Sequence, residues 1–227
     1  MAIAFDALSS GTGTGGGAGG SGITVSHTAV AGAMVVAIVV QRYPYMTSIT
    51  VTHDGNAMTL RADSGYDGAG SQTRTLIYTI EGVAGGAKNV VSAWTGTVNN
   101  HMVVISYTGA TFDDSAIGAD TTSQFNITVN SENGGLGVGG FSALHALEGV
   151  NTERYDALKG DVHAVVDELA ATGATVTLGA TGTSNANARQ AAVSLSPATG
   201  FVPRTQFLLS LAGLAIPAAM GGLACLQ

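Results

Sequence analysis

Charged residues, lysine and cysteine are all scarce in this chain of 227 residues. Charged residues make up 10% of it, against about 25% in an average domain, so ion pairs can cover little of the surface. The formal net charge is -7, and Lys88 and Lys159 are the only lysines. Because such a surface would repel a phosphate backbone, we expect no nucleic-acid partner.

The chain also lacks the patterns of a disulfide and of a secretory signal. Cys225 is its only cysteine, so no disulfide can form within the chain. No basic residue precedes the first apolar residues, and Asp6 interrupts them, unlike a signal peptide. We therefore expect synthesis in the cytoplasm of the producing cell, without secretion.

Before the last 21 residues, long apolar runs are missing as well. The run AMVVAIVV at 33–40 has eight residues, whereas a membrane-spanning helix needs about 20. Five of them are β-branched, which favours a pleated sheet over a helix. The run therefore predicts a strand buried on both faces, which Pro44 ends because proline cannot donate to a strand ladder.

Short strand-like runs separated by turn residues recur along the rest of the chain. They lie at 2–7, 23–29, 33–41, 48–53, 57–61, 73–80, 89–94, 101–107, 124–130, 136–141, 174–178 and 190–195. This pattern predicts an all-β fold, an antiparallel β-sandwich with a jelly-roll-like arrangement. Residues 161–171 (DVHAVVDELAA) place Val162, Val165, Val166 and Leu169 at helical spacing, and we predict one short helix there.

The domain organisation follows from changes in composition. Residues 10–22 are rich in Gly and Ser and are typical of a long loop or a linker after the first strand. We predict a β-sandwich domain over residues 1–204, within which 142–204 could form a subdomain. An apolar segment over 205–227 follows it.

The last segment has the strongest apolar character in the chain. Residues 207–226 carry no charge and would span about 30 Å as a helix, but Pro217 and Gly221-Gly222 interrupt it. Packing against other subunits, membrane anchoring and burial in the chain's own core are the three alternatives. We expect subunit packing, through Phe207, Leu208, Leu209, Leu211, Leu214, Ile216, Leu223 and Leu226.

No constellation of catalytic or metal-binding residues is visible in the sequence. The histidines at 27, 53, 101, 145 and 163 have no metal-site spacing, and we expect His27 and His53 to be structural residues of strands. Acidic residues at 63–67 and at 113, 114 and 120 could hold Ca²⁺, but neither stretch matches an EF-hand loop, and we expect plain solvated loops. We predict no catalytic residue, no cofactor and no metal.

Three tyrosines are candidates for stacking on a ligand. Tyr43 and Tyr45 flank Pro44, and Tyr66 lies in the acidic stretch 63–67. An exposed aromatic rim of this kind stacks on sugar rings or on a protein partner. The alternative is that these tyrosines cover the edge of the sandwich.

The order of four segments carries a resemblance to a known module. HTAVAGAMVVAIVV is followed by TSITVTHDGNAMTL, TLIYTIEGVAGGAKNVV and MVVISYTGAT. This succession resembles a β-sandwich module of bacteriophage tail and capsid-decoration proteins and of some bacterial surface proteins. The similarity covers about residues 1–140 and extends to the strands up to 196. It departs at 81–86, where a proline is often found, and the apolar C-terminus is not part of the pattern.

The resemblance implies a virion or surface setting and no catalytic residues. We expect a structural, non-enzymatic virion subunit that assembles with itself and other virion proteins through sheet edges and the C-terminal segment. The alternatives are a carbohydrate-binding or adhesive surface module and a membrane-associated protein anchored by 207–226.

Overall fold

The computed structural model describes residues 1–14, 21–42, 47–65, 73–95, 99–120, 124–159, 162–182 and 188–198. Within these ranges the regular elements are β-strands, and each strand pair is antiparallel. The prediction of an all-β antiparallel fold is therefore confirmed.

The strands before Gly109 form two sheets. They are β1 Ala4–Thr14, β2 Ser21–Ala29, β3 Met34–Arg42, β4 Thr47–His53, β5 Asn56–Ala57, β6 Thr59–Asp63, β7 Thr73–Ile80, β8 Gly86–Thr95 and β9 Asn99–Thr108. Sheet A has the order β1-β9-β3-β7-β6, and sheet B has the order β2-β8-β4-β5.

The strands after Gly109 form two more sheets. They are β10 Ala110–Asp120, β11 Gln124–Asn130, β12 Leu136–Ala143, β13 Leu147–Gly149, β14 Thr152–Lys159, β15 Val162–Ala170, β16 Thr175–Gly182 and β17 Ala188–Pro197. Sheet C has the order β10-β17-β12-β15-β14, and sheet D has the order β11-β16-β13.

The sheets stack in the order B, A, C, D around successive hydrophobic cores. One core joins sheets B and A, a second joins A and C, and a third joins C and D. Strand β3 is apolar over most of its length because its two faces lie in two different cores. Val39 packs in the core between A and B, whereas Ile38 and Val40 pack in the core between A and C. The prediction of a strand buried on both faces is confirmed.

The two pairs of sheets repeat one topology. Strands β1 to β4 correspond in order to β10 to β13, and strands β6 to β9 correspond in order to β14 to β17. With this correspondence, the strand order of sheet A is the same as that of sheet C. The order of sheet B likewise becomes that of sheet D, apart from the two-residue β5. The described chain is therefore two copies of one sandwich, joined at Gly109.

Equivalent positions of the two copies meet where sheet A packs on sheet C. Gly32 and Gly134 precede β3 and β12 with φ of 81° and 85°, values that glycine adopts without strain. Ile38 and Gly140 each follow that glycine by six residues. A Cβ added to Gly140 would lie 2.7 Å from Cγ2 of Ile38. The contact of equivalent positions places an approximate two-fold axis between β3 and β12.

Two reciprocal arginine contacts follow the same two-fold relation. Phe5 and Phe112 stand immediately before the irregularities in β1 and β10, and Arg61 and Arg154 lie at the irregularities in β6 and β14. Cζ of Arg61 is 3.9 Å from the ring centroid of Phe112, and Cζ of Arg154 is 4.3 Å from that of Phe5. Each phenylalanine is thus covered by the arginine of the other copy, as in a symmetric dimer interface.

The helix predicted at 161–171 is wrong, because residues 162–170 form strand β15. Val162 and Val166 face the core between sheets A and C, whereas Val165 faces the core between C and D. A strand that is buried on both faces has apolar residues at successive positions, and a short run of this kind can imitate helical spacing.

The Gly- and Ser-rich segment 10–22 begins and ends in strands. Residues 10–14 belong to β1 and residues 21–22 to β2, while 15–20 lie outside the described residues. Within β1, a Cβ on Gly11 would approach Cγ2 of Val25 to 2.7 Å. The small residue is therefore required where β1 passes close to β2.

A circular permutant that starts at Ala110 is expected to fold like the original chain. The amino group of Met1 lies 3.2 Å from the carbonyl oxygen of Ala198, so a short linker can join these ends, and Gly109 is the single link between the copies. Thermal unfolding followed by circular dichroism should give a melting temperature within a few degrees of that of an unpermuted chain ending at Ala198. Loss of cooperative unfolding would contradict the division at Gly109.

Candidate assembly surfaces

The antiparallel strands give the molecule two distinct ends. Thr14 pairs with Asn99, and Arg42 pairs with Thr73, so these strand ends lie together in the first copy. The hydroxyl of Thr73 donates to the carbonyl of Ser142 at 3.0 Å, which places the equivalent end of the second copy beside it. We call this the loop end of the molecule.

The described chain leaves the molecule at the opposite end. The N–H of Ala198 donates to the carbonyl of Gly109 at 2.7 Å, and the Met1 amino group donates to the carbonyl of Ala198. We call this the terminal end. The predicted assembly residues Phe207, Leu208, Leu209, Leu211, Leu214, Ile216, Leu223 and Leu226 lie outside the described residues. The last described residue before them, Ala198, lies at the terminal end.

The candidate stacking residues Tyr43, Tyr45 and Tyr66 also lie outside the described residues. The strand ends on either side of them are described. Arg42 precedes the first pair of tyrosines, Thr73 follows the third tyrosine in sequence, and the two residues are paired in neighbouring strands. The described residues Arg42 and Thr73, which flank the tyrosine-bearing segments, therefore lie at the loop end.

His27 and His53 lie in strands, as predicted, and both are buried in the first copy. They are 0% and 3% exposed, on β2 and β4. Nδ1 of His27 is 3.1 Å from the hydroxyl of Ser9, while Nε2 of each histidine lacks a hydrogen-bond partner. Burial lowers the pKa of both. His53 lowers the pKa of His27 further, against a smaller opposing effect of Asp6.

We expect the stability of the protein to fall as the pH drops below about 6.5. The folded-state pKa values of His27 and His53 lie below the ordinary histidine value of 6.5. For His53, burial has the largest effect and lowers the pKa. Asp54 raises the pKa by a smaller amount, and Lys88 lowers it further. As the pH falls, the unfolded chain therefore binds protons at these histidines before the folded chain does. The contribution of the two neutral histidines to the free energy of unfolding is fully present above pH 6.5 and is lost as the pH falls from 6.5 towards their folded-state pKa values.

Melting temperatures measured between pH 7.5 and 5.5 test this expectation. A chain with both His27→Gln and His53→Gln should show a smaller decrease than the natural chain, whereas His145→Gln, at an exposed position, should leave the decrease unchanged. Equal decreases in all three chains would contradict the assignment.

Asp63 and Asp113, two of the acidic residues that the sequence offers as calcium ligands, make contacts within the protein. Asp63 binds Nε of Arg74 at 2.7 Å and accepts the N–H of Gly65 at 3.0 Å. Asp113 accepts from the hydroxyl of Ser194. Across the described residues, no group of three or more His, Cys, Asp or Glu could hold a metal ion.

A buried acidic pair on β15 joins sheet C to sheet D of the second copy and to sheet A of the first. Asp167 is fully buried and accepts hydrogen bonds from the N–H groups of Asn151 and Gly179, at 2.8 and 3.0 Å. Glu168 accepts from the hydroxyl of Tyr107 at 2.8 Å and from Nη2 of Arg154 at 2.7 Å. Sequence reasoning missed both, because it placed Asp167 and Glu168 on a surface helix.

The outer strands of sheets A and C carry features that oppose edge-to-edge pairing. Strand β6 carries Arg61 and Asp63, and β14 carries Glu153, Arg154 and Asp156. Irregularities interrupt the pairing of β1, β6, β10 and β14. Charged residues and bulges are the usual protection of an edge strand, so these edges are poor surfaces for adding a strand.

An apolar cleft lies at the open edge of the first copy, between β4, β6 and β7. It has a volume of about 400 Å³ and is lined by Ile49, Thr50, Val51, Thr52, Ala57, Met58, Leu60 and Tyr78. Leu60 is 45% exposed, and the hydroxyl of Tyr78 donates to the carbonyl of Ile49 at 3.4 Å. Seven of the eight lining residues lie within 49–60 and the eighth is Tyr78, and no sequence motif indicated them.

Within the described ranges, no helix is long and apolar enough to cross a membrane. Comparisons with protein-family models, with curated proteins and with solved structures find no match to this chain.

Proposed function

We propose that the chain is a structural, non-enzymatic subunit of a phage-like virion, a capsid-decoration, capsid or tail component, which assembles through its C-terminal segment. The observation that supports this most is the position at which the described chain ends. Ala198, the last described residue before the uncharged segment 207–226, is held by hydrogen bonds with Gly109 and Met1 at the terminal end, opposite the loop end. This arrangement suits a subunit that is held at one end and presents the other.

The charged, irregular edge strands refine this proposal. Because the outer strands of sheets A and C are poorly suited to edge-to-edge pairing, we assign assembly mainly to the C-terminal segment. The partners are then further copies of this chain and other virion proteins that cover apolar surface.

Light scattering after size-exclusion chromatography, with negative-stain electron microscopy of the same fractions, tests this proposal. The full chain should form multimers of defined size, and a chain ending at Arg204 should be a monomer with an unchanged circular-dichroism spectrum. A full chain that stays monomeric at micromolar concentration without detergent would overturn the proposal. Flotation of the full chain with liposomes would instead favour membrane association through 207–226.

Glycan binding at the loop end is a second proposal. It is supported by the pairing of Arg42 with Thr73, which brings together strand ends that flank the tyrosine-bearing segments. A glycan array should show binding that is lost when Tyr43, Tyr45 and Tyr66 are replaced by alanine. Binding that survives these changes, or no binding at all, would reject it.

A further inference from the structure

We propose that the apolar cleft of one copy of the chain receives the C-terminal segment 207–226 of a second copy. This inference rests on the proposed function and gives the assembling segment its receptor. It predicts a directional contact, in which each chain donates a segment at one place and accepts a segment at another.

The second copy of the sandwich shows what the cleft lacks. At the equivalent edge, β13 contacts both β14 and β15 across the space between sheets D and C. Leu147 of β13 is 1% exposed, its N–H donates to Nδ1 of His163, and the N–H of Gly149 donates to Glu153. The chain thus closes this edge with its own residues, whereas the matching edge of the first copy is left as the cleft.

The chemistry of the cleft suits an uncharged apolar occupant. Among the described residues that line it, none is charged, and Ile49, Val51, Met58 and Leu60 supply its aliphatic surface. Segment 207–226 carries no charge and contains six leucines, one isoleucine and one phenylalanine. Removing such side chains from water is favourable in proportion to the apolar area that is buried. Contact between the segment and the cleft therefore lowers the free energy by burying apolar surface of both.

Volume and position favour the segment of another copy over the chain's own. A cleft of about 400 Å³ holds a drug-sized group, and therefore only part of a 20-residue segment. The rest would stay in water if each chain folded back alone, whereas neighbouring copies can cover it on several sides. Moreover, the described chain ends at the junction of sheets A and C, next to Gly109 and Met1, while the cleft lies on the other side of sheet A, between A and B.

The symmetry of the assembly follows from this contact. Because donor segment and acceptor cleft are different surfaces, the contact is heterologous, and repeated contacts close into a ring or continue as a filament. The smallest closed form is a dimer in which two chains exchange their segments.

Two variants with complementary defects test the proposal in solution. Leu60→Asp places a charge in the cleft at a position that is 45% exposed, and a chain ending at Arg204 keeps the cleft but lacks the segment. Each should be a monomer alone. Mixed together, they should form a 1:1 complex that grows no further, measured by light scattering. Leu158→Asp, at a position 62% exposed on β14, is the matched control and should assemble like the natural chain.

The native Cys225 provides a second readout. In a Leu60→Cys chain, mild oxidation should give disulfide-linked dimers and larger species on non-reducing gels, above the level of a Leu158→Cys control. A faster-migrating monomer would show that the segment docks in its own chain and would overturn the proposal.

The possible failures are distinguishable. If the full chain is a monomer, the proposed function fails as well. If the full chain and the Leu60→Asp chain assemble alike, or the two defective chains do not associate, the cleft is not the receptor, while assembly through the segment stands.

Discussion

Replacing Gly140 by isoleucine is expected to lower the free energy of unfolding by about 3 kcal/mol or more. A Cβ at this position would lie 2.7 Å from Cγ2 of Ile38 and 3.0 Å from Cγ2 of Thr75, and overpacking of a close-packed core costs about 1–3 kcal/mol, sometimes more. Ile38→Gly alone should also be costly, because it leaves a cavity at a fully buried position. The loss of a buried aliphatic side chain typically costs about 2–5 kcal/mol.

The double variant with both changes should recover a large part of this loss. Since Ile38 and Gly140 occupy equivalent positions on either side of the approximate two-fold axis, an isoleucine at 140 can fill the space vacated at 38. Urea unfolding should show the double variant to be at least about 2 kcal/mol more stable than the sum of the single effects implies. Additive losses would argue that the two positions are not related by the axis. Val103→Ala, which truncates another side chain of the same core, serves as the control and should not be rescued by Gly140→Ile.

Replacing Asp167 by alanine is expected to cost about 3 kcal/mol or more. The carboxylate is fully buried and accepts the N–H groups of Asn151 and Gly179. Each buried donor left without an acceptor costs about 1–3 kcal/mol. The variant should therefore unfold at lower urea concentration, and hydrogen exchange at Gly179 should become faster.

Asp113→Ala is the matched control for this change. Asp113 also accepts a side-chain hydrogen bond, from Ser194 at 3.2 Å, but it is exposed on β10, so water can replace the carboxylate. Its loss should change stability by less than about 1 kcal/mol. If both alanine variants lose the same free energy of unfolding, burial is not the reason why the Asp167 carboxylate stabilises the fold.

Much of the fold was predictable because its strands are short and their turns are marked in the sequence. Ile23, Val25, His27 and Ala29 alternate with exposed residues, which is the pattern of a strand with one solvent-facing side. The stacking of four sheets was not predicted, although strands such as β3 carry its signal in their unbroken apolar runs. In β15 the same signal was interpreted as a helix.

The repeat was hidden because equivalent positions carry different residues. Ile38 corresponds to Gly140. Arg74, which pairs with Asp63, corresponds to His163, which pairs with Asp156. Such changes preserve a contact while altering its chemistry, so the relation between the copies is visible in strand order and pairing rather than in sequence identity.

Of the two proposed assembly surfaces, the sequence reveals the apolar segment but not the cleft. Composition alone identifies the apolar segment 207–226, because twenty uncharged residues are conspicuous in any sequence. Seven of the eight residues that line the cleft lie within 49–60, where the chain passes from sheet B to sheet A, and Tyr78 of β7 completes it. The sequence does not show this cleft, because its shape depends on how β4 and β6 separate into two sheets.

The most direct test of the two-copy architecture is a pair of double-mutant cycles at the reciprocal arginine contacts. The cycles combine Arg61→Ala with Phe112→Ala, and Arg154→Ala with Phe5→Ala, and measure the coupling free energy from urea unfolding. We predict favourable coupling of about 0.5–2 kcal/mol in both pairs, and none between Arg61 and Phe5 or between Arg154 and Phe112. Coupling in one pair but not in the other, or coupling within a copy instead of between copies, would contradict the account.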